Sequence, residues 1–181
     1  MQPEALTALL TGTYVHLWPY SARHLPRDAV YRVWQVMEAA HAWPRVFWWQ
    51  DLPEAHKGDL VAFASYMRER VPLLVQMGEN PLAGLIWFDE MVAGLRGNIS
   101  IWFTQAAWGP PAEEAGRLAT EYAHQALQLP QVWGVSPWGA ARDFAVRCGY
   151  THVATLPRFV RVGGKRLPMY YTVHEELQGG A

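Results

Sequence analysis

Cysteine, charge and long apolar runs are all scarce in this chain of 181 residues. The single cysteine, Cys148, excludes a disulfide within the chain and a cluster of thiolate metal ligands. Charged residues make up only 17% of the sequence, and 15 Lys and Arg against 16 Asp and Glu leave a net charge of -1. A balance of this kind produces no field of one sign, so it gives no clear signal for a nucleic-acid or membrane partner.

Targeting, membrane and metal-binding signals are also missing. No apolar run approaches the roughly 20 residues that cross a bilayer, and residues 1–5 lack the basic segment and apolar core of a signal peptide. We therefore expect a cytoplasmic protein. The seven histidines show no His-Glu-x-x-His spacing, so we expect no metal, and there is no Walker loop and no Gly-x-Ser-x-Gly elbow.

The chain is rich in apolar and aromatic side chains. Hydrophobic residues make up 51% and aromatic residues 13% of the sequence, which at this length predicts a single domain over residues 1–181 with a sizeable core. Ten tryptophans beside so few charges favour a surface that another protein covers, so a homodimer or another protein partner is expected.

The first half of the chain reads as helices followed by an antiparallel meander. Apolar spacing predicts short helices at 3–10, 26–42 and from residue 53 onward, with a first strand at 13–18. Strands are predicted at 72–77, 82–90 and 98–103, joined by tight turns around Gly78 and Gly94. Three consecutive strands with short turns form an antiparallel unit.

The region from 98 to 173 reads as strand, loop, helix, strand, helix, strand and hairpin. Ile99, Ile101 and Phe103 alternate with other side chains, as in a half-buried strand. A helix is predicted to about residue 127, a short strand at 131–136, a second helix ending near Cys148, and a hairpin at Gly163 and Gly164. Such an order makes two strands parallel and points the end of the first at a helix N-terminus, whose free N–H groups can bind phosphate.

One local motif in this region resembles a known family. Trp138-Gly139-Ala140-Ala141, a helix with Phe144, and then Gly149-Tyr150 are similar to the Asn-x-x-Ala/Ser, helix and Gly-Phe pattern of the GNAT superfamily. These are N-acetyltransferases that use acetyl-coenzyme A, and the resemblance extends over residues 71–173. Within the superfamily, Trp108-Gly109-Pro110 followed by Gly116-Arg117 resembles phage- or prophage-encoded GNAT-like proteins.

The resemblance implies an α/β (α+β) fold with a mixed, mostly antiparallel sheet flanked by helices. It also implies that the strands at 98–103 and 131–136 part after Phe103 to open a cleft. The residues implied to hold acetyl-coenzyme A lie in the loop after the first strand and on the second helix; they are Phe103, Gln105, Trp108, Gly109, Ala112, Phe144 and Arg147.

Two prolines complicate the loop. Pro110 and Pro111 have no N–H, so two donors of a phosphate cradle are missing. Glu113 and Glu114 follow in the first helical turn, where they satisfy the positive end of the helix dipole. An ordinary proline-started helix explains the same residues without any ligand.

The usual proton donors of the family are absent. The tyrosine position holds Ala145, and the serine position of one subgroup holds Ala141. We expect Ser136 and Tyr150 as substitute hydroxyls, with a helix cap and a core aromatic as their structural alternatives. Glu90, next to Asp89, is the expected base for an acceptor amine, with a solvated turn as its alternative.

The prediction is a GNAT-like N-acetyltransferase that transfers an acetyl group to an unidentified small-molecule or peptide amine. A non-catalytic phage or prophage assembly component, or another protein-interaction component, is the alternative.

Two further clusters of residues each have more than one interpretation. The aromatic residues at 43–49 suit an acceptor pocket, a small separate core or a self-association surface, and the basic residues Arg158, Arg161, Lys165 and Arg166 suit an anionic ligand or a solvated hairpin tip.

Overall fold

The computed structural model describes residues 9–19, 27–47 and 59–176, without the side chains of 27–30, 44 and 45. The strands are β1 (Leu10–Thr11), β2 (His16–Pro19), β3 (Val71–Met77), β4 (Asn80–Val92), β5 (Arg96–Phe103), β6 (Gln131–Ser136), β7 (Thr151–Val162) and β8 (Lys165–Glu175). The helices are α1 (Arg27–Ala39), α2 (Trp43–Val46), α3 (Leu60–Arg68), α4 (Pro110–Gln125) and α5 (Gly139–Arg147). Most of the helix predicted at 3–10 and the start of the one predicted at 53 lie outside the described residues.

All eight strands form one sheet in the order β1-β2-β3-β4-β5-β6-β8-β7. Only the contact between β5 and β6 is parallel, and the other neighbours are antiparallel. The predicted meander is confirmed as β3, β4 and β5, and the predicted hairpin as β7 and β8. The mixed, mostly antiparallel α/β fold is therefore confirmed.

The parallel strands part earlier than predicted. Their register contains only three pairs, Arg96 with Gln131, Gly97 with Val132 and Asn98 with Trp133. The separation thus begins after Asn98 and not after Phe103. Beyond this point β5 stays paired with β4, and β6 stays paired with β8. Each strand is held along its length by its outer neighbour, which leaves the inner edges free to diverge as the sheet twists.

Side chains of the central strands alternate between two apolar clusters, one on each face of the sheet. Ile86 and Phe88 belong to the cluster beneath α4 and α5. Leu85 and Trp87 belong to a second cluster with α1, α2 and α3. Trp43 and Phe47 are buried in this second cluster, so they form a separate core, whereas Trp48 and Trp49 lie outside the described residues.

The N-terminal strands are tied to α4 by one carboxylate. Glu114 accepts hydrogen bonds from the backbone N–H groups of Thr13 (2.7 Å), Tyr14 (2.6 Å) and Val15 (3.1 Å). Gly12 leaves room for it, since a Cβ there would lie 2.5 Å from the carboxyl carbon of Glu114. The first-turn carboxylate was expected to compensate the helix dipole, but it is committed to the turn between β1 and β2, a contact that joins residues about 100 apart in the chain.

A pH-dependent loss of stability follows from this contact. Partial burial raises the pKa of Glu114, but the three backbone N–H groups outweigh burial and bring it below its usual 4.5. The stabilisation is therefore present above about pH 4.5 and is lost as the pH falls through the lowered pKa. We expect Glu114→Gln to lower the free energy of unfolding by about 1 kcal/mol at pH 7. Between pH 5 and 3, the melting temperature of this variant should change less with pH than that of the wild type.

Thermal melts followed by circular dichroism across this pH range would measure the effect. Glu121→Gln is the matched control, because Glu121 is an exposed residue of the same helix. Equal pH dependence in the wild type and Glu114→Gln would contradict the assignment.

Candidate active site

A cavity of about 830 Å³ crosses the sheet where β5 and β6 part. On one face it is lined by Gly116, Phe144 and Cys148 of the α4 and α5 layer. On the other face Ala42 and Val46, at α2, line it. Because the lining comes from both layers, a ligand that enters from one face can meet a second ligand from the other.

The walls of the cavity expose unpaired strand edges. Past Asn98 on β5 and Trp133 on β6, the facing backbone edges have no ladder partner in the part of the chain that the structure describes. Unpaired N–H and C=O groups require a partner, either water or a ligand. An extended ligand that carries amide groups can therefore pair with these edges as a strand would.

The start of α4 lies next to this opening. Gly109 is the residue before the helix and has φ +95° and ψ -142°, a conformation that only glycine adopts readily. Apart from Gly109 itself and its two chain neighbours, no atom lies within 4 Å of the position a Cβ would occupy there. The first helical backbone bond runs from Glu113 N–H to the Gly109 carbonyl. Pro110 and Pro111 have no N–H, so the donors left at this end are the N–H groups of Gly109 and Ala112.

Three aromatic side chains predicted near a cofactor are brought together. Phe103, Trp108 and Phe144 contact one another with ring centroids 5.7 to 5.9 Å apart, and all three line the cavity with Gln105. Trp108 is 51% exposed, so it forms the outer edge of the group. Ala112 is fully buried, backbone included, and neither Ala112 nor Gly109 lines the cavity.

Arg147 lies near the start of α4 but does not line the cavity. Its Nε donates to Glu113 Oε1 at 2.6 Å. The guanidinium therefore neutralises a carboxylate in the first turn of α4, so Glu113 no longer presents an unbalanced negative charge beside the helix N-terminus. Arg147, predicted to contact the cofactor, is therefore paired with Glu113 and lies outside the cavity lining.

The two predicted hydroxyls differ in what they can donate. Ser136 Oγ accepts a hydrogen bond from Trp138 N–H at 3.2 Å, and no acceptor among the described residues takes its own hydrogen at the carboxyl end of β6. Tyr150 also lines the cavity, but its hydroxyl lies 2.8 Å from Thr120 Oγ1. Thr120 uses its own hydrogen on the Gly116 carbonyl, so Tyr150 must be the donor in this pair. Burial also raises the pKa of Tyr150, which keeps this proton in place.

Glu90 is placed in a second cavity of about 540 Å³ on the face covered by α1 and α3. Its Oε2 accepts from Asn98 Nδ2 at 2.7 Å, whereas the neighbouring Asp89 lies 3.8 Å from Arg70. Ile99, Ser100 and Val135 line both cavities, so the two adjoin at the point where β5 and β6 separate. The base predicted from the sequence is therefore outside the main cavity, in the cavity that adjoins it.

Tyr170 is a cavity residue that the sequence analysis missed. It lies directly opposite Ser136 in the register of β6 and β8 and lines the main cavity. The guanidinium of Arg142 lies 4.9 Å from its ring centroid. Within the described residues no hydrogen bond uses its hydroxyl. A Cβ placed on Gly139, the first residue of α5, would lie 4.0 Å from this oxygen, so the hydroxyl points at the α5 N-terminus.

Cys148 lines the cavity, but its thiol is unreactive. Its Sγ donates toward the Glu113 carbonyl at 3.7 Å. Burial raises the pKa of its thiol to about 12, in spite of the nearby Arg117. The thiol therefore stays protonated at neutral pH and is a poor nucleophile. Over the described ranges there is no group of three His, Cys, Asp or Glu side chains placed to hold a metal, and no helix long and apolar enough to span a membrane.

Comparison with known proteins identifies the fold. No protein-family model matches the chain, and no curated protein matches it. Solved structures do match. A probable acetyltransferase of the GNAT family from Chromobacterium violaceum aligns over 93% of this chain and 86% of its own, with 18% identity and a TM-score of 0.68. The ribosomal-protein-S5-alanine acetyltransferase from Vibrio fischeri aligns over 96% and 100%, with 7% identity and a TM-score of 0.74.

A third similar structure contains a ligand. RimL, a ribosomal L7/L12 alpha-N-protein acetyltransferase in complex with coenzyme A, aligns over 93% of this chain and 98% of its own, with 11% identity and a TM-score of 0.70. The chain therefore has the fold of the GNAT acetyltransferases. The comparisons do not support the narrower resemblance to phage-encoded proteins.

Proposed function

We propose that this protein is an N-acetyltransferase of the GNAT family that transfers an acetyl group from acetyl-coenzyme A to an amine. The observation that carries the proposal is the parting of β5 and β6, which opens a cavity through the sheet beside the N-terminus of α4. Structures of this fold with coenzyme A bound support the choice of donor.

The residues present fit acetyl-coenzyme A, although the loop before α4 offers few N–H donors. The unpaired edge of β5 suits the two amides of the pantetheine arm, and Phe103, Trp108 and Phe144 offer an apolar wall beside it. The N–H group of Gly109 is the donor left for the pyrophosphate, because Ala112 is fully buried. The cradle thus has fewer donors than a glycine-rich loop, because Pro110 and Pro111 contribute none.

The chemistry asks for one base and one acid around the thioester that acetyl-coenzyme A supplies. The amine must lose a proton to become nucleophilic, and we assign this proton to Glu90, which lies in the second cavity on the sheet face that α1 and α3 cover. The nitrogen then bonds to the acetyl carbon and gives up its surplus proton to solvent, the carbon–sulfur bond breaks, and the sulfur leaves as a thiolate that takes up a proton. We assign that proton to the hydroxyl of Tyr170, which regains one from solvent, with Ser136 facing it across the same end of the cavity.

The choice of acceptor rests on the similar structures. Two of the similar structures are ribosomal-protein acetyltransferases, so peptide amines belong in the first acceptor screen beside small amines. A non-catalytic role of this fold remains the second hypothesis, based on the absence of the usual donors at Ala141 and Ala145. The similar structures, which are acetyltransferases, do not favour it.

Calorimetry with acetyl-coenzyme A tests the proposal. We expect wild-type protein to bind with a dissociation constant in the micromolar range. Gly109→Val should weaken binding about tenfold or more, because a branched side chain at φ +95° strains the loop that presents the phosphate donors. Gly78→Val is the matched control, since Gly78 also has a positive φ, with open space around it, in the turn between β3 and β4. No heat with wild-type protein at millimolar ligand would overturn the proposal.

A further inference from the structure

The far end of the β7–β8 hairpin extends beyond its neighbour in the sheet. The last residue of β6, Ser136, pairs with Tyr170, whereas β8 begins at Lys165. Residues 156–167, which we name the basic arm, therefore continue past the end of β6. Four side chains in the basic arm are positively charged and exposed, namely Arg158, Arg161, Lys165 and Arg166. The sequence from 151 to 174 contains no Asp or Glu.

The charges in the basic arm repel one another. Arg161 lies directly opposite Arg166, and the next pair toward the turn places Lys165 beside them. Like charges directly opposite on neighbouring strands are destabilising. Across the described residues no ion pair involves any of the four side chains. A ligand with several negative charges would remove this repulsion. Relief of repulsion within the arm would therefore add to the attraction between the arm and an anionic partner.

A bulge presents an aromatic side chain next to these charges. The register of β7 with β8 shifts between Leu156 and Val160, which leaves Pro157, Arg158 and Phe159 out of the ladder. Arg158 has φ +51°, a conformation that costs a non-glycine residue energy. Phe159 is 60% exposed. Bulges of this kind redirect side chains, and here a large exposed apolar residue directly follows Arg158 and precedes Arg161 by two positions.

We propose that the basic arm is a docking surface for an acidic segment of a partner protein that also carries apolar side chains. Val153 and Leu156 are exposed apolar residues on the same strand as Phe159, and together they match apolar side chains set between carboxylates. The sugar–phosphate backbone of a nucleic acid offers no comparable apolar groups along its length, so the three exposed apolar side chains of β7 favour a protein. Arginine supplies the paired donors that carboxylates accept in a bidentate way.

Fluorescence anisotropy with a labelled peptide of alternating Glu and Leu tests the docking surface at low and physiological salt. We expect the full-length protein to bind this peptide, to bind the corresponding Gln and Leu peptide at least about tenfold more weakly, and to lose affinity as salt screens the charges. The double variant Arg161→Gln and Arg166→Gln should bind the acidic peptide about tenfold more weakly. Phe159→Ser should weaken binding of this peptide but not of an all-Glu peptide.

The matched control is the double variant Arg32→Gln and Arg68→Gln, which removes two exposed charges from α1 and α3 and should leave binding unchanged. Circular dichroism of each variant verifies folding, and the arm variant is expected to melt no lower than wild type because it relieves repulsion. Equal binding by wild type and arm variant, or no binding of the acidic peptide, would overturn the proposal. Tighter binding of an oligothymidylate of equal charge would overturn it in favour of a nucleic-acid partner.

Discussion

Replacing Tyr170 by phenylalanine is expected to lower kcat for acetyl transfer by about a hundredfold or more, which is the range that a positioned proton donor supplies. The hydroxyl is the only group removed, so the thiolate must leave without a protein acid. The unpaired edge of β5 and the N-terminus of α4 are untouched, and the dissociation constant of acetyl-coenzyme A should therefore stay within about twofold of the wild-type value. A thiol-release assay gives kcat, and calorimetry gives the binding constant.

Two further tyrosine variants make this result specific. Tyr14→Phe removes a hydroxyl from the exposed turn between β1 and β2 and should leave kcat unchanged. Tyr150→Phe removes the buried hydroxyl that donates to Thr120, so we expect a lower melting temperature with a much smaller change in kcat. If Tyr170→Phe retained wild-type kcat, the proton donor would not be Tyr170, and Ser136→Ala would be the next variant to measure.

Replacing Trp87 by alanine is expected to destabilise the fold by about 3 to 5 kcal/mol, the cost of deleting a large buried side chain. Trp87 is fully buried and is central to the second apolar cluster. It stacks on Phe47 with centroids 5.7 Å apart and meets Tyr66 edge-on at 6.5 Å. The cluster holds α2 and α3 against the sheet, so the loss is shared by several contacts. Urea denaturation measures it directly.

Trp18→Ala is the control for this measurement. Trp18 is 40% exposed and donates to Gln76 Oε1 across the strand pair, so its removal should cost about 1 kcal/mol. A loss smaller than about 1.5 kcal/mol for Trp87→Ala would mean that the surrounding rings collapse into the space, and that α2 and α3 are held by other contacts.

The helices and strands were predictable wherever they depend on residues close together in the sequence. The alternation of Ile99, Ile101 and Phe103 and the turns at Gly78 and Gly94 identify strands within a few residues of their partners. The point at which β5 and β6 part was not predictable in the same way. It depends on how long β6 stays straight against β8 and β5 against β4, which are contacts between residues far apart in the chain.

The same distinction applies to the candidate site. Gln105, Trp108 and Gly109 follow one strand in sequence, so a loop between strand and helix predicts that they lie together. Tyr170 enters the site only because β8 pairs with β6 in one register, and a shift by one residue would turn it to the other face. The pairing of Glu114 with the turn at Thr13 is also invisible in sequence, because nothing near Glu114 indicates a partner about 100 residues away.

The prolines at the start of α4 have a consequence for the kinetics of ligand capture. Pro110 and Pro111 take away two N–H groups, but each also locks one backbone dihedral of the loop in the unliganded protein. In the proposed function, a phosphate that binds there meets a segment with little freedom left to lose, so ordering it costs less entropy than ordering a glycine-rich loop. Fewer hydrogen bonds are thus offset by rigidity, and association should proceed in a single fast phase without a slower closure of the loop.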